Sequence, residues 1–144
     1  MNKIYELEDC EVTELKRIDT ICQTMLNICS EHRDIRPSEQ YCPEWDEDYV
    51  GGDFSFGNKL NISINAYVNE QNEELEYHVI TDYVICENPY KEESRREVVY
   101  DAKAVIDEIN KQLDWFLNSQ YAKDDTTLPT IIYKIKSILA EIEF

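Results

Sequence analysis

At 144 residues the chain is long enough to bury a real core in one domain, and an apolar share of 42% is compatible with folding. Charge is the outlying property: 31 Asp and Glu stand against 14 Lys and Arg, a net of −17. An excess of that size repels phosphate backbones and anionic membranes, so direct binding to nucleic acid or membrane is not expected, and a basic protein becomes the natural partner. The plain alternative is that the acidity only keeps the protein soluble.

The first ten residues carry Glu6, Glu8 and Asp9 and lack a basic segment followed by an apolar run, so no signal peptide is expected. Nothing approaches the ~18 uninterrupted apolar residues of a membrane span. Cys10, Cys22, Cys29, Cys42 and Cys86 are odd in number and contain no C-x-x-C pair. These features point to a reduced, cytoplasmic protein.

Lys3 to Leu7 is a short candidate strand. A helix is predicted from about Glu11 to His32, where Val12, Leu15, Ile18, Cys22, Met25 and Cys29 recur at threes and fours. Cys22 and Cys29 fall on its apolar face, where a thiol behaves as a small hydrophobe. Pro37 lies just beyond its end. From Ser38 to Asn58 the character shifts. Glu39, Glu44, Asp46, Glu47, Asp48 and Asp53 occur there with no Lys or Arg, interleaved with Tyr41, Trp45, Tyr49, Phe54 and Phe56. Gly51 and Gly52 suggest a turn or hairpin within this acidic-aromatic loop.

Leu60, Ile62, Ile64, Ala66 and Val68 then alternate with polar residues, the period of a half-buried strand. A hairpin connection is predicted at Asn69 to Glu74 and a second strand from about Leu75 to Cys86, its alternation blurring from Tyr83 onward as at a bulge. Asn88-Pro89 and the charged Lys91–Arg96 segment read as a second connection, and Arg96 to Tyr100 as a short third strand. Asp101 is a suitable cap for the helix whose stripe is Ala102, Val105, Ile106, Ile109, Leu113, Phe116 and Leu117. After a break at Asn118 to Asp125, Thr127 is placed to cap a final helix with Pro129 in its first turn and an apolar stripe from Leu128 to Ile142. The fold class is therefore a single α+β domain over residues 1–144, with an antiparallel sheet of three or more strands against two or three helices, in the order α-β-β-β-α-α. Its α-β-β-β-α portion resembles a double-stranded-RNA-binding domain in outline, with acids where such a domain needs basic contacts.

No residue set announces catalysis or a cofactor. His32 sits at a helix end and His78 on the strand face opposite Tyr77 and Val79, where solvent is expected. Phosphate-cradling glycine loops are absent. Asp46 to Gly51 opens like a calcium loop but has Val50 at the fifth position and Gly57 at the twelfth, so no metal site is assigned. Trp115 lies off the main stripe of its helix, either packed under the final helix or against the acidic loop, or exposed as a partner anchor.

The expectation is a non-enzymatic acidic protein that binds and inhibits a basic protein such as a nuclease or nucleic-acid-binding effector. Phage and mobile-element inhibitors of CRISPR or restriction enzymes are of this general kind. An immunity protein against a nuclease toxin, a small acidic secretion chaperone and a plain structural subunit are the alternatives, and a homodimer is compatible with any of them. The candidate partner-binding residues are Glu39, Glu44, Trp45, Asp46, Glu47, Asp48, Tyr49, Asp53 and Trp115.

Overall fold

A computed structural model describes residues 9–31, 49–56, 59–69, 71, 74–124 and 128–143. Helix α1 (Asp9–Glu31) precedes four strands, β1 (Tyr49–Phe56), β2 (Leu60–Val68), β3 (Leu75–Glu87) and β4 (Tyr90–Val99). Helix α2 (Ala102–Leu117), a short 3-10 segment (Gln120–Asp124) and helix α3 (Leu128–Ala140) complete the chain. The strands form one antiparallel meander in the order β1-β2-β3-β4.

The alternation of β2 decides which sheet face is dry. Leu60, Ile62, Ile64 and Ala66 are buried, and the register carries each inward row across the sheet. Phe54 and Thr81 flank Ile62, and Tyr77 flanks Ala66. This face is covered by helices, with α1 over β1 and α2 over β3 and β4, while α3 packs on α1 and α2. Leu15, Ile18, Ile21, Cys22, Met25 and Ile28 of α1 meet Val105, Ile109, Leu113 and Phe116 of α2 in one continuous core. Burial, and secondarily the Asp19 carboxylate, push the Cys22 thiol well above its ordinary range, as befits a core hydrophobe.

Two carboxylates anchor the start of α2. Asp101 is extended and accepts a 2.8 Å hydrogen bond from the Ala104 N–H. Glu14, on α1, accepts one of 2.8 Å from the Ala102 N–H, tying the two helices at the positive end of a dipole. Farther along, the buried Gln112 side chain donates to the Val79 carbonyl at 3.0 Å and so fastens α2 to β3.

Several expectations are corrected. Gly51 and Gly52 lie inside β1, opposite Asn65 and Ile64, and not in a turn. A Cβ on Gly51 would collide with the Ile64 carbonyl oxygen and stand 2.8 Å from Asn65 Cα, so glycine here permits close approach of two strands. Lys91–Arg96 is not a connection. It is the middle of β4, an edge strand that begins immediately after Asn88 and the cis Pro89. Charged residues on both faces hid it, because the outer strand of a sheet needs no apolar alternation. With four strands the chain departs from the double-stranded-RNA-binding outline. The bulge predicted near Tyr83 is present as a register shift between Val84 and Cys86. The candidate strand at Lys3–Leu7 and the Thr127 cap lie outside the described residues. No helix among the described residues is long and apolar enough to cross a membrane.

Candidate functional site

The solvent-facing side of the sheet is built by the residues between the core positions. In β2 these are Asn61, Ser63, Asn65 and Tyr67, and the register sets beside them Asp53 and Ser55 from β1 and Glu76, His78, Ile80 and Asp82 from β3. Short polar side chains here bond to one another across strands. Ser55 donates to Asn61 Oδ1 at 2.9 Å, Asn61 Nδ2 to Ser63 Oγ at 3.2 Å, and Ser63 to the Asp53 carboxylate. On the far side Ser94 of β4 donates to Asp82 Oδ1 at 2.5 Å. Asp53 and Asp82 are thus fixed in place by neutral hydroxyls, which orient a carboxylate without cancelling its charge.

At the end of the sheet where β1 begins, His78 lies on the outer face, opposite Tyr77 and Val79 as expected, but is half-buried there by its neighbours. Neighbours on three strands enclose it. The Arg96 guanidinium lies 3.0 Å from Nδ1, Glu76 Oε2 lies 3.3 Å from Nε2, and the Tyr67 ring meets the imidazole edge-on at 5.0 Å. Arg96 has only protons to offer, so Nδ1 accepts and Nε2 carries the hydrogen toward Glu76. Asn69 Nδ2 donates to the other Glu76 oxygen at 2.7 Å. With both ring nitrogens engaged, this histidine has no lone pair ready for a metal or a substrate proton. No group of three or more potential metal ligands occurs among the described residues.

The sequence-predicted site residues do not form one constellation. Glu39, Glu44, Trp45, Asp46, Glu47 and Asp48 lie outside the described residues. Tyr49 is the first residue of β1 and pairs with Tyr67, so the acidic stretch enters the sheet at the His78 end. Asp53 belongs to the outer polar network just described. Trp115 is elsewhere, on the helix side of the sheet. It is half-buried against Tyr83, ring centroids 5.6 Å apart, with the Arg95 guanidinium of β4 lying 4.0 Å over it. Trp115 therefore packs toward β3 and β4, and not under the final helix.

The described surface carries three clefts, lined by polar and apolar groups together. A cleft of about 640 Å³ opens where Glu14 and Arg17 of α1, Lys103 and Asp107 of α2, and Leu139 of α3 converge. A second, about 300 Å³, lies on the outer sheet face between Ser55, Asn61, Asp82 and Tyr90. A third, about 230 Å³, separates β4 from α2 beside Arg95, Lys111 and Trp115. The outer network and the Arg95–Trp115 stack were missed from the sequence because each joins residues of different elements. The one available signal was the polar row Asn61, Ser63 and Asn65.

The chain matches no protein-family profile, no curated protein and no solved structure.

Proposed function

We propose that this protein acts by binding, as an acidic inhibitor that occupies a basic, nucleic-acid-handling surface on another protein, in the manner of an anti-defence inhibitor from a phage or mobile element. The observation that carries this reading is the net charge of −17, with six carboxylates and no Lys or Arg between residues 38 and 58. Asp53, one of those six, and Asp82 support it by carrying negative charge onto the outer sheet face, where Ser63 and Ser94 orient them. Carboxylates on a firm surface take the place of phosphates. Opposite charge speeds encounter, and aromatic residues such as Trp45 and Tyr49 supply the desolvated contacts that charge alone lacks.

The test begins with capture from host lysate at low and high salt, followed by competition. A partner retained at low salt should lose its grip on nucleic acid when this protein is added. If every partner so captured binds nucleic acid unchanged, the inhibitor reading fails. Replacing Glu44, Asp46, Glu47 and Asp48 with Asn or Gln should then slow association and flatten its salt dependence, with little change in the melting temperature. Trp45→Ala should instead speed dissociation. Unchanged affinity of the quadruple variant at low salt would reduce the stretch to a solubilising loop.

A further inference from the structure

The strand β4 ends the sheet, and among the described residues no other strand lies beyond it. Its order of charges is unusual. Reading from Lys91, the residues are Lys, Glu, Glu, Ser, Arg, Arg, Glu, three cations against three anions in a protein of net charge −17. Inverting this order about Ser94 exchanges every charge for its opposite. Glu93 maps onto Arg95, Glu92 onto Arg96 and Lys91 onto Glu97.

That inversion has a direct structural meaning. When two copies of one strand pair antiparallel about a two-fold axis, the axis passes between identical residues directly opposite each other. An axis at Ser94 sets Glu93 beside the other copy's Arg95, Glu92 beside its Arg96 and Lys91 beside its Glu97, each pair occurring twice. The axis stands perpendicular to the sheet, so inward residues meet inward residues and the helices of both copies stay on one side. Neighbouring symmetric registers are penalised. An axis at Glu93 sets that residue against itself and Lys91 against Arg95, while an axis at Arg95 sets Arg95 against itself and Glu93 against Glu97.

We propose that β4 is a dimerisation edge on which a second copy of this chain pairs antiparallel about Ser94, joining two four-stranded sheets into one. Charge on an edge strand ordinarily prevents pairing. Here the same charges forbid slipped registers and favour one, because opposite charges facing across strands attract and like charges repel. The guanidinium groups are already ordered in the single chain. Arg95 lies over Trp115, and Arg96 contacts His78. Less side-chain freedom is then lost on association. Lys91, Glu92, Ser94, Arg95, Arg96 and Glu97 are exposed, so the strand is accessible along most of its length. This inference is independent of what else the protein binds.

Sedimentation equilibrium of the whole protein over a range of concentration and salt tests it. A concentration-dependent monomer–dimer equilibrium is expected once salt screens the repulsion between two copies of net charge −17, and a monomer at every concentration and every salt overturns the proposal. The double variant Glu92→Arg with Glu93→Arg places four like pairs across the axis and should weaken the dimer on the order of 100-fold or more. Arg95→Glu with Arg96→Glu should do the same. Mixed in equal amounts, the two variants are complementary at all six charged pairs and should form a heterodimer. Ser94→Lys, which sets one cation against itself on the axis, should weaken self-association without touching the other pairs. Circular dichroism confirms that each variant is folded before its mass is read. A dimer that survives the reversals, or folded variants that stay monomeric when mixed, would place any self-association elsewhere and sink the proposal.

Discussion

Removal of residues 127–144 is expected to leave a chain that aggregates or lacks a cooperative transition. Helix α3 buries Leu128, Ile131, Ile132, Ile135 and Leu139, all at most 6% exposed, against α1 and α2. Truncating one buried Ile or Leu to Ala costs ~2–5 kcal/mol, while a whole domain is stable by only ~5–15 kcal/mol. Losing five such side chains together exceeds that reserve. It also uncovers the outer sides of two helices that have no other cover among the described residues. Thermal unfolding with light scattering checks the outcome. A truncated protein that remained monomeric and melted sharply would show α3 to be an accessory.

The second large effect is expected at Tyr83. Its ring is fully buried, stacked on Phe116 with centroids 4.8 Å apart and planes inclined by 10°, and it also meets Trp115. The hydroxyl donates to the Gln112 carbonyl at 2.7 Å, joining β3 to α2. Tyr83→Ala removes a large core aromatic and should cost ~3–5 kcal/mol. Tyr83→Phe keeps the ring and loses one hydrogen bond, a cost of ~0.5–1.5 kcal/mol. Chemical denaturation of both variants separates these costs. The unmodified protein and Tyr83→Phe differ again in alkali. Burial, opposed by the nearby Thr81 hydroxyl and the Arg95 charge, pushes the Tyr83 hydroxyl from 10.0 up to about 12. Below pH 10 it keeps its proton folded or unfolded and contributes no pH dependence. Between pH 10 and about 12 the unfolded chain ionises first, so stability falls as pH rises through that window. Tyr83→Phe should lose less stability across the same window, and parallel losses in the two proteins would exclude this group as the cause.

How far the sequence alone carried depended on whether an element is one-sided. The α1 and α2 stripes and the β2 row are periodic, since each has one face in the core and one in water, and all three were placed to within a few residues. Asp101 was legible for a similar reason, because a cap acts on backbone donors two or three positions away. The same logic misplaced Gly51 and Gly52. Glycine signals conformational freedom or close approach, and only the neighbouring Ile64 carbonyl decides which one applies.

From its residues in order, then, the chain determined an acidic α+β domain with its core stripes, its one-sided central strand and its net charge of −17. Tertiary structure decided the rest. It made Lys91–Arg96 part of an edge strand, enclosed His78 among Tyr67, Glu76 and Arg96, and laid Arg95 over Trp115. Each of these joins residues brought side by side by strand register or by helix-on-sheet packing. Local periodicity reports only which side of an element is dry, whereas register reports which residues of different strands meet.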